Sequence, residues 1–464
     1  MEPFELSLTA AAGEIEARRL SPVELIDSVL ARIEATEGAL NAYACVTAEP
    51  ARKAAAQAEQ EIAAGRYRGP LHGIPLGVKD LYDTAGVPTT CSSAVRAGNV
   101  PDTDAVAVER LVAAGMIPVG KTHTHEFAFG AITPTTRNPW DTGRIPGGSS
   151  GGSGAAVASG TCMVGLGSDT AGSIRIPASL CGTVGLKPTY GRASRRGVAS
   201  LSWSLDHVGP LSRNVVDCAL VMNEIAGFDR LDPATVDVPV PDYTSGLDRG
   251  IAGLRVGVPS NYYFDRVHED VAAAVHAAIG VLDGLGAELR EVTIPYADEI
   301  LAAEWGILLP EASAYHQEML RTKGDLYTED VRLFLEVGEL VLATDYIKAL
   351  RVRTLMQQAW ARMYDDIDVL VTPAMPVAAP EVGATELTWP DGSSEDVTTA
   401  LVRLTSPGNL TGLPALSLPV GFDAAGLPLG MQVTGRPFDE VTVLRVGTAY
   451  EGAVTTVGRI APVV

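Results

Sequence analysis

Pro146-Gly-Gly-Ser-Ser-Gly-Gly-Ser-Gly-Ala-Ala-Val-Ala-Ser-Gly160 is followed shortly by Gly167-Ser-Asp-Thr-Ala-Gly-Ser-Ile-Arg-Ile-Pro-Ala178, and the two runs place Ser149 and Ser173 24 positions apart. A flexible linker does not feed straight into a buried helix, yet Ala155-Ala-Val-Ala158 continues the first run. A phosphate-binding loop needs Gly-Lys-Ser/Thr at its close, and no lysine is present. Gly147-Gly-Ser149-Ser-Gly151 does satisfy the G-x-S-x-G elbow of a hydrolase, with His207, His268, His276 and His316 formally available downstream. That reading leaves the cluster around Ser173 unexplained. Ser173 closes the small-residue turn Asp169-Thr-Ala-Gly-Ser173 after the strand-like Met163-Val-Gly-Leu-Gly167. Backbone N–H groups in such a turn can converge on one developing oxyanion, and small side chains leave a substrate carbonyl room to approach.

The composition sets bounds on these readings. A chain of 464 residues can bury a large core, and 46% hydrophobic with 20% charged residues is the balance of a globular enzyme. A net charge of −21 argues against a phosphate-neutralising surface, so no nucleic-acid partner is expected. No apolar run reaches the roughly 18 residues of a membrane span. Met1-Glu-Pro-Phe-Glu-Leu6 lacks the basic and apolar segments of a signal peptide, so a cytoplasmic location is expected. Cys45, Cys91, Cys162, Cys181 and Cys218 are dispersed and odd in number, which suits reduced, buried thiols.

Along the chain, Ser21-Pro-Val-Glu24 reads as a capping box that opens an N-terminal helix. From Gly73 onward strands alternate with helices. The expected strands include 74–78, 116–119, 254–258, 289–294, 369–371, 416–420 and 429–433, and the expected helices include 105–114, 271–285, 354–364 and 440–450. This alternation predicts an α/β protein, one large domain over 1–464 with a mixed central sheet covered by helices on both faces. Asp229 to Ser245 is expected to cross the surface of that domain, and 380–400 to form a mobile loop beside the active site.

The segments Gly147–Gly154, Gly172–Ala178 and Gly182-Thr-Val-Gly-Leu-Lys-Pro-Thr-Tyr-Gly191 are similar, nearly position for position, to the amidase signature sequence. Ile74-Pro-Leu-Gly-Val-Lys-Asp80 and Gly426-Leu-Pro-Leu-Gly-Met-Gln-Val-Thr-Gly-Arg-Pro-Phe438 extend the resemblance. It is strong over 65–225 and 405–452 and weak over 230–400. It divides the chain into an N-terminal helical segment (1–68), a signature core (69–228), a variable specificity region (229–404) and a return to the core (405–464). It implies Ser173 as acyl-enzyme nucleophile, Ser149 as a bridging serine on a cis peptide, and Lys79 as base. The amides of Thr170, Ala171, Gly172 and Ser173 would form the oxyanion hole, with Ala171 standing where the family has the first of two glycines. Ser150, Asp169 and Arg175 would support them by hydrogen bonding. A free lysine, with a pKa of about 10.4, is a poor base at neutral pH, so burial must lower that of Lys79. The implied substrate is a small-molecule amide, with aryl amides, esters and carbamates as relatives. No metal or organic cofactor is implied, and a homodimer is compatible with the chain.

Other signals compete. Lys121-Thr-His123-Thr-His125-Glu126 begins as a metallo-amidohydrolase site might, but further ligands in register are not apparent. By the family likeness, 123–129 instead line the pocket, with Phe127 and Phe129 as an apolar wall. Tyr346-Ile-Lys-Ala-Leu-Arg-Val-Arg-Thr354 resembles the glutaminase component of glutamyl-tRNA amidotransferase, an enzyme of the same family. That component carries an acid before its Asn-Leu-x-Gly-Leu-Pro motif, and Leu401 to Pro414 here contains none. Residues 300–350 and 375–405 are expected to decide the substrate.

Overall fold

A computed structural model describes residues 2–463. The capping box forms as its sequence dictates. The Ser21 hydroxyl accepts from the Glu24 amide (3.0 Å), and the Glu24 carboxylate accepts from the Ser21 amide (2.9 Å). Helix Pro22–Leu40 follows and stops at Asn41, which is left-handed with φ 47°.

The strands are β1 Tyr43–Val46, β2 Pro75–Lys79, β3 Ile117–Thr122, β4 Val164–Asp169, β5 Val184–Lys187, β6 His207–Ser212, β7 Arg255–Pro259, β8 Glu288–Val292, β9 Val369–Pro373, β10 Glu386–Thr388, β11 Ser394–Asp396, β12 Ala415–Phe422 and β13 Pro428–Gly435. Eleven of them form one sheet in the order β1-β3-β2-β4-β6-β5-β12-β13-β9-β7-β8. The pairs β3–β2, β2–β4, β9–β7 and β7–β8 are parallel, and the others are antiparallel. The sheet is therefore mixed, and its apolar surroundings run as one main core from Leu8 to Tyr450.

Two glycines on β13 locate helices on opposite faces. A Cβ at Gly430 would lie 2.4 Å from Ser179 of helix Arg175–Cys181, and one at Gly435 would lie 2.4 Å from Val443 of helix Glu440–Ala453. Residues an odd number apart on a strand point to opposite faces, so the sheet is covered on both sides. No helix among the described residues is long and apolar enough to cross a membrane.

The expected strands at 254–258, 289–294, 369–371, 416–420 and 429–433 appear within a residue or two of their limits. Strands β1, β5 and β6 were not anticipated, because each is short and the last two are interrupted by glycine or proline. Residues 380–400 do not form the expected loop. β10 and β11 make a hairpin around Trp389-Pro-Asp-Gly-Ser393, closed by Trp389 N–H donating to the Ser393 carbonyl (2.8 Å), with Trp389 buried. Pro-Asp-Gly is a turn signal in its own right, and the short strands beside it are too polar to show an apolar alternation.

Candidate active site

β2 and β4 are parallel neighbours, with Val78 opposite Leu166, so their carboxyl ends finish side by side. Ligands in α/β sheets bind in this place. β2 ends in Lys79 and β4 in Ser168-Asp169, and every residue of both strands is buried. Helix Gly151–Ser159 starts directly after Ser149-Ser150, and helix Arg175–Cys181 directly after the turn bearing Ser173. Five sequence-predicted residues thus meet at one sheet edge.

Lys79 Nζ donates to the hydroxyls of Ser149, Ser150 and Ser168, each at 2.8 Å. Burial pushes its amine well below the ordinary lysine value, outweighing the opposite pull of the Asp169 and Asp206 carboxylates. The Gly148–Ser149 peptide bond is cis. The Ser149 carbonyl accepts from the His125 amide (3.0 Å) and the Thr133 hydroxyl (3.1 Å). The Ser150 hydroxyl donates to the Ser168 carbonyl (3.2 Å), and the Ser150 amide donates to the Ser173 carbonyl (3.2 Å), tying the two serine segments together through the backbone. Among the described residues the Ser173 hydroxyl makes no hydrogen bond to Ser149.

The Ser173 turn is braced by Asp169. Its carboxylate takes a two-pronged contact from Arg175 Nε and Nη2 (3.0 Å each), with further bonds from the Gly172 amide (2.9 Å), the Ile174 amide (3.2 Å) and Asn409 Nδ2 (2.9 Å). Burial raises the Asp169 pKa, but the Arg175 guanidinium outweighs it and holds the carboxyl well below the usual carboxylate range. Arg175 goes on to the Thr405 carbonyl (2.9 Å), Gln432 Oε1 (3.1 Å) and Asn409 Oδ1 (2.6 Å). Gly172 has φ 134°, and a Cβ there would sit 2.2 Å from Thr405 Oγ1, so both conformation and space require glycine.

One expectation needs correction. The Gly172 amide is engaged by Asp169, so it cannot also serve an oxyanion, whereas the amides of Thr170, Ala171 and Ser173 have no acceptor among the described residues. The proposed phenylalanine wall is also displaced. Phe127 packs edge-on against His316 at 4.5 Å, and Phe129 stacks on Phe334 at 5.1 Å. Consecutive left-handed residues at Phe127 and Ala128 turn both rings into the core. Ala128 instead lines a cavity of about 270 Å³, together with Ser168, Leu201, Trp203, Asp206 and His207.

The histidine readings separate in space. His123 Nδ1 lies 3.0 Å from Ser92 Oγ, and His125 Nε2 lies 2.9 Å from Asp330. No group of three or more His, Cys, Asp or Glu side chains among the described residues is placed to hold a metal ion. The elbow reading fails as well. His207 Nδ1 faces the Leu205 carbonyl (2.6 Å), His316 faces the Tyr327 hydroxyl (2.8 Å), His268 caps a helix and His276 stacks on Phe264. None of the four contacts Ser149.

Several residues at the site were not read from sequence. Ser168 is the third hydroxyl on Lys79, and its only local sign was a position one residue before Asp169. Asn409, Thr405 and Gln432 come from the C-terminal return, where Asn409 heads the Asn-Leu-Thr-Gly-Leu-Pro motif. Asp206 accepts from the hydroxyls of Thr170 (2.7 Å) and Ser200 (2.8 Å), holding the start of the nucleophile turn.

Comparison with known proteins agrees with this geometry. A family model described as Amidase matches residues 24–444. The chain is 54% identical over 451 residues to a protein named Amidase from Pseudomonas putida, covering 97% of this chain and 96% of that one. It is 41% identical over 481 residues to the first component, GatA-type, of the glutamyl-tRNA(Gln) amidotransferase of Carboxydothermus hydrogenoformans, covering 97% and 98%. A solved structure from work on the evolutionary origins of an s-triazine catabolic enzyme superposes with a TM-score of 0.94 at 36% identity, covering 98% of this chain and 100% of that chain. Lys79, the two serine segments and the turn they share therefore sit in a member of the amidase signature family of hydrolases.

Proposed function

We propose that this chain hydrolyses a carboxylic amide through an acyl-enzyme on Ser173, with Ser149 and Lys79 relaying protons. The observation that carries this reading is the surroundings of Lys79: a buried amine held by three hydroxyls, with no carboxylate in contact to retain its proton. Neutral Lys79 accepts the Ser149 proton as Ser149 accepts that of Ser173, whose oxygen attacks the substrate carbonyl. The amides of Thr170, Ala171 and Ser173 stabilise the resulting oxyanion. Collapse of the tetrahedral adduct breaks the C–N bond, and the relay run backward delivers the proton to the leaving amine. Water then attacks the acyl-enzyme by the same route and releases the acid with Ser173 restored. Aryl amides, esters and carbamates fit the same sequence of steps.

Similarity to the amidotransferase component makes glutamine the competing substrate. The stretch Leu401–Pro414 offers no acid to hold a glutamine amino group, which favours a stand-alone amidase. Product formation from glutamine, aliphatic amides, anilides, aryl esters and aryl carbamates, with Ser173→Ala as background, tests both. Turnover of amides with none in Ser173→Ala is the expected result. Full activity in Ser173→Ala would overturn the mechanism, and ammonia from glutamine alone would favour the amidotransferase reading.

A further inference from the structure

Helix Ile300–Lys323 carries Glu304 and Glu311 two turns apart on one face. Glu311 is saturated. Its carboxylate accepts from the Ser202 hydroxyl (2.6 Å), the Ser204 amide (2.9 Å) and hydroxyl (2.8 Å), and the Tyr346 hydroxyl (2.9 Å). Glu304 is fully buried, and no protein donor reaches either of its carboxyl oxygens.

The charged groups near Glu304 are already committed elsewhere. Arg353 donates to the carbonyls of Leu410 and Ser204 (2.9 Å each). Arg175 and Asp169 hold one another. All three are within electrostatic reach of Glu304, and burial pushes its carboxyl well above the usual range. The helix also packs on helix Ser406–Thr411, which carries Asn409 to the Asp169–Arg175 pair. Glu304 therefore stands behind the nucleophile turn, on the wall supplied by the variable region. A buried carboxyl without donors is a standing cost to the fold, one that an apolar residue of similar size would remove. Glu311 shows what a carboxylate on this helix face accepts when its partners come from the protein.

We propose that Glu304 determines specificity by accepting an N–H donor, ammonium or ureido, carried by the substrate. This rests on the reading of Ser173 as the nucleophile of an amide hydrolase. Asp169 and Arg175 flank Ser173 in sequence and lie beside Glu304 in space, so the donor belongs to the same small molecule as the attacked carbonyl. The favoured substrate is then a compact amide bearing a second nitrogen, not a plain aliphatic amide.

The test is a matched set of amides of equal chain length ending in an ammonium, a ureido or a methyl group. Each is assayed with wild type, Glu304→Gln and Glu304→Met, with Ser173→Ala as background. The preference of wild type for nitrogen-bearing over methyl-ended amides, as a ratio of kcat/KM, is expected to fall on the order of 10- to 100-fold in Glu304→Met, mainly through KM. Glu304→Gln keeps an acceptor, so it should lose more toward the ammonium than toward the ureido substrate. The Tm of Glu304→Met should equal or exceed that of wild type. Unchanged substrate ratios in both variants, or lowered Tm with unchanged ratios, would overturn the inference while leaving the hydrolase reading intact. Absence of any turnover by wild type would overturn both.

Discussion

Lys79 Nζ and Ser168 Oγ lie 2.8 Å apart at the carboxyl ends of the parallel neighbours β2 and β4. The register of two strands thus sets a contact on the amine that the mechanism needs neutral. A hydroxyl that accepts from an ammonium favours its charged form, so removing it lowers the amine pKa further. Ser168→Ala should keep the fold, lower kcat by about 10-fold, the scale of one lost hydrogen bond, and move the acidic limb of the pH–rate profile to lower pH. A limb that moves upward would show that Ser168 does not act through Lys79.

Lys79 itself makes opposite demands on activity and stability. Its folded pKa is depressed, so between that value and about 10.4 the unfolded chain binds the extra proton, and stability rises with pH across the window. Lys79→Met should cost on the order of 10²–10⁴ in rate, the usual worth of a general base. It should also raise Tm at neutral pH, with the gain shrinking as pH approaches 10. Tm measured from pH 7 to pH 10 in both proteins checks the sign. A gain that grows with pH would contradict the burial argument.

Lys79, Ser149 and Ser173 were legible because each sits in a short motif whose local backbone, a strand end or a tight turn, is encoded within a few residues. Ser168 and Asn409 were not, since their roles arise from pairing between β2 and β4 and from a helix more than 200 positions downstream. The Phe127 and Phe129 rings illustrate the limit. Glu-Phe-Ala-Phe reads equally as pocket wall or core, and the choice is made by His316, Tyr327 and Phe334 in the variable region. Glu304 gave no signal at all, because a glutamate in a helix is ordinarily exposed, and only the packing of three helices buries it.

The Asp169–Arg175 pair should behave as a brace for the turn. Removing one partner of a buried ion pair costs about 3–5 kcal/mol. Asp169→Asn should therefore lower stability by that order at pH 7 and reduce kcat, since the Gly172 and Ile174 amides lose their anchor. The Asp169 pKa is depressed, so its contribution is complete above the unfolded value near 3.9 and is lost as pH falls through the folded value. The wild-type advantage over Asp169→Asn in urea unfolding should accordingly narrow below about pH 4. An advantage that widens on acidification would mean the carboxylate is not what braces the turn.

Gly172→Ala separates the shape of the turn from its charge. The added methyl would meet Thr405 Oγ1 at 2.2 Å and Thr405 Cβ at 2.8 Å, and φ 134° is closed to an L side chain without strain. Relief requires the turn to move away from Thr405, whose hydroxyl donates to the Ala171 carbonyl (2.5 Å). The neighbouring amides of Ala171 and Ser173 would turn with it. Loss of a single oxyanion donor costs roughly 10²–10³ in rate, so kcat should fall at least that far while KM changes little. Thr405→Ala in the same chain removes the nearest clashing atom but not the backbone strain. The double variant should recover part of the lost stability and only a fraction of kcat. Full recovery of kcat would place the defect in the steric clash alone and remove the case for a φ-dependent arrangement of the amides.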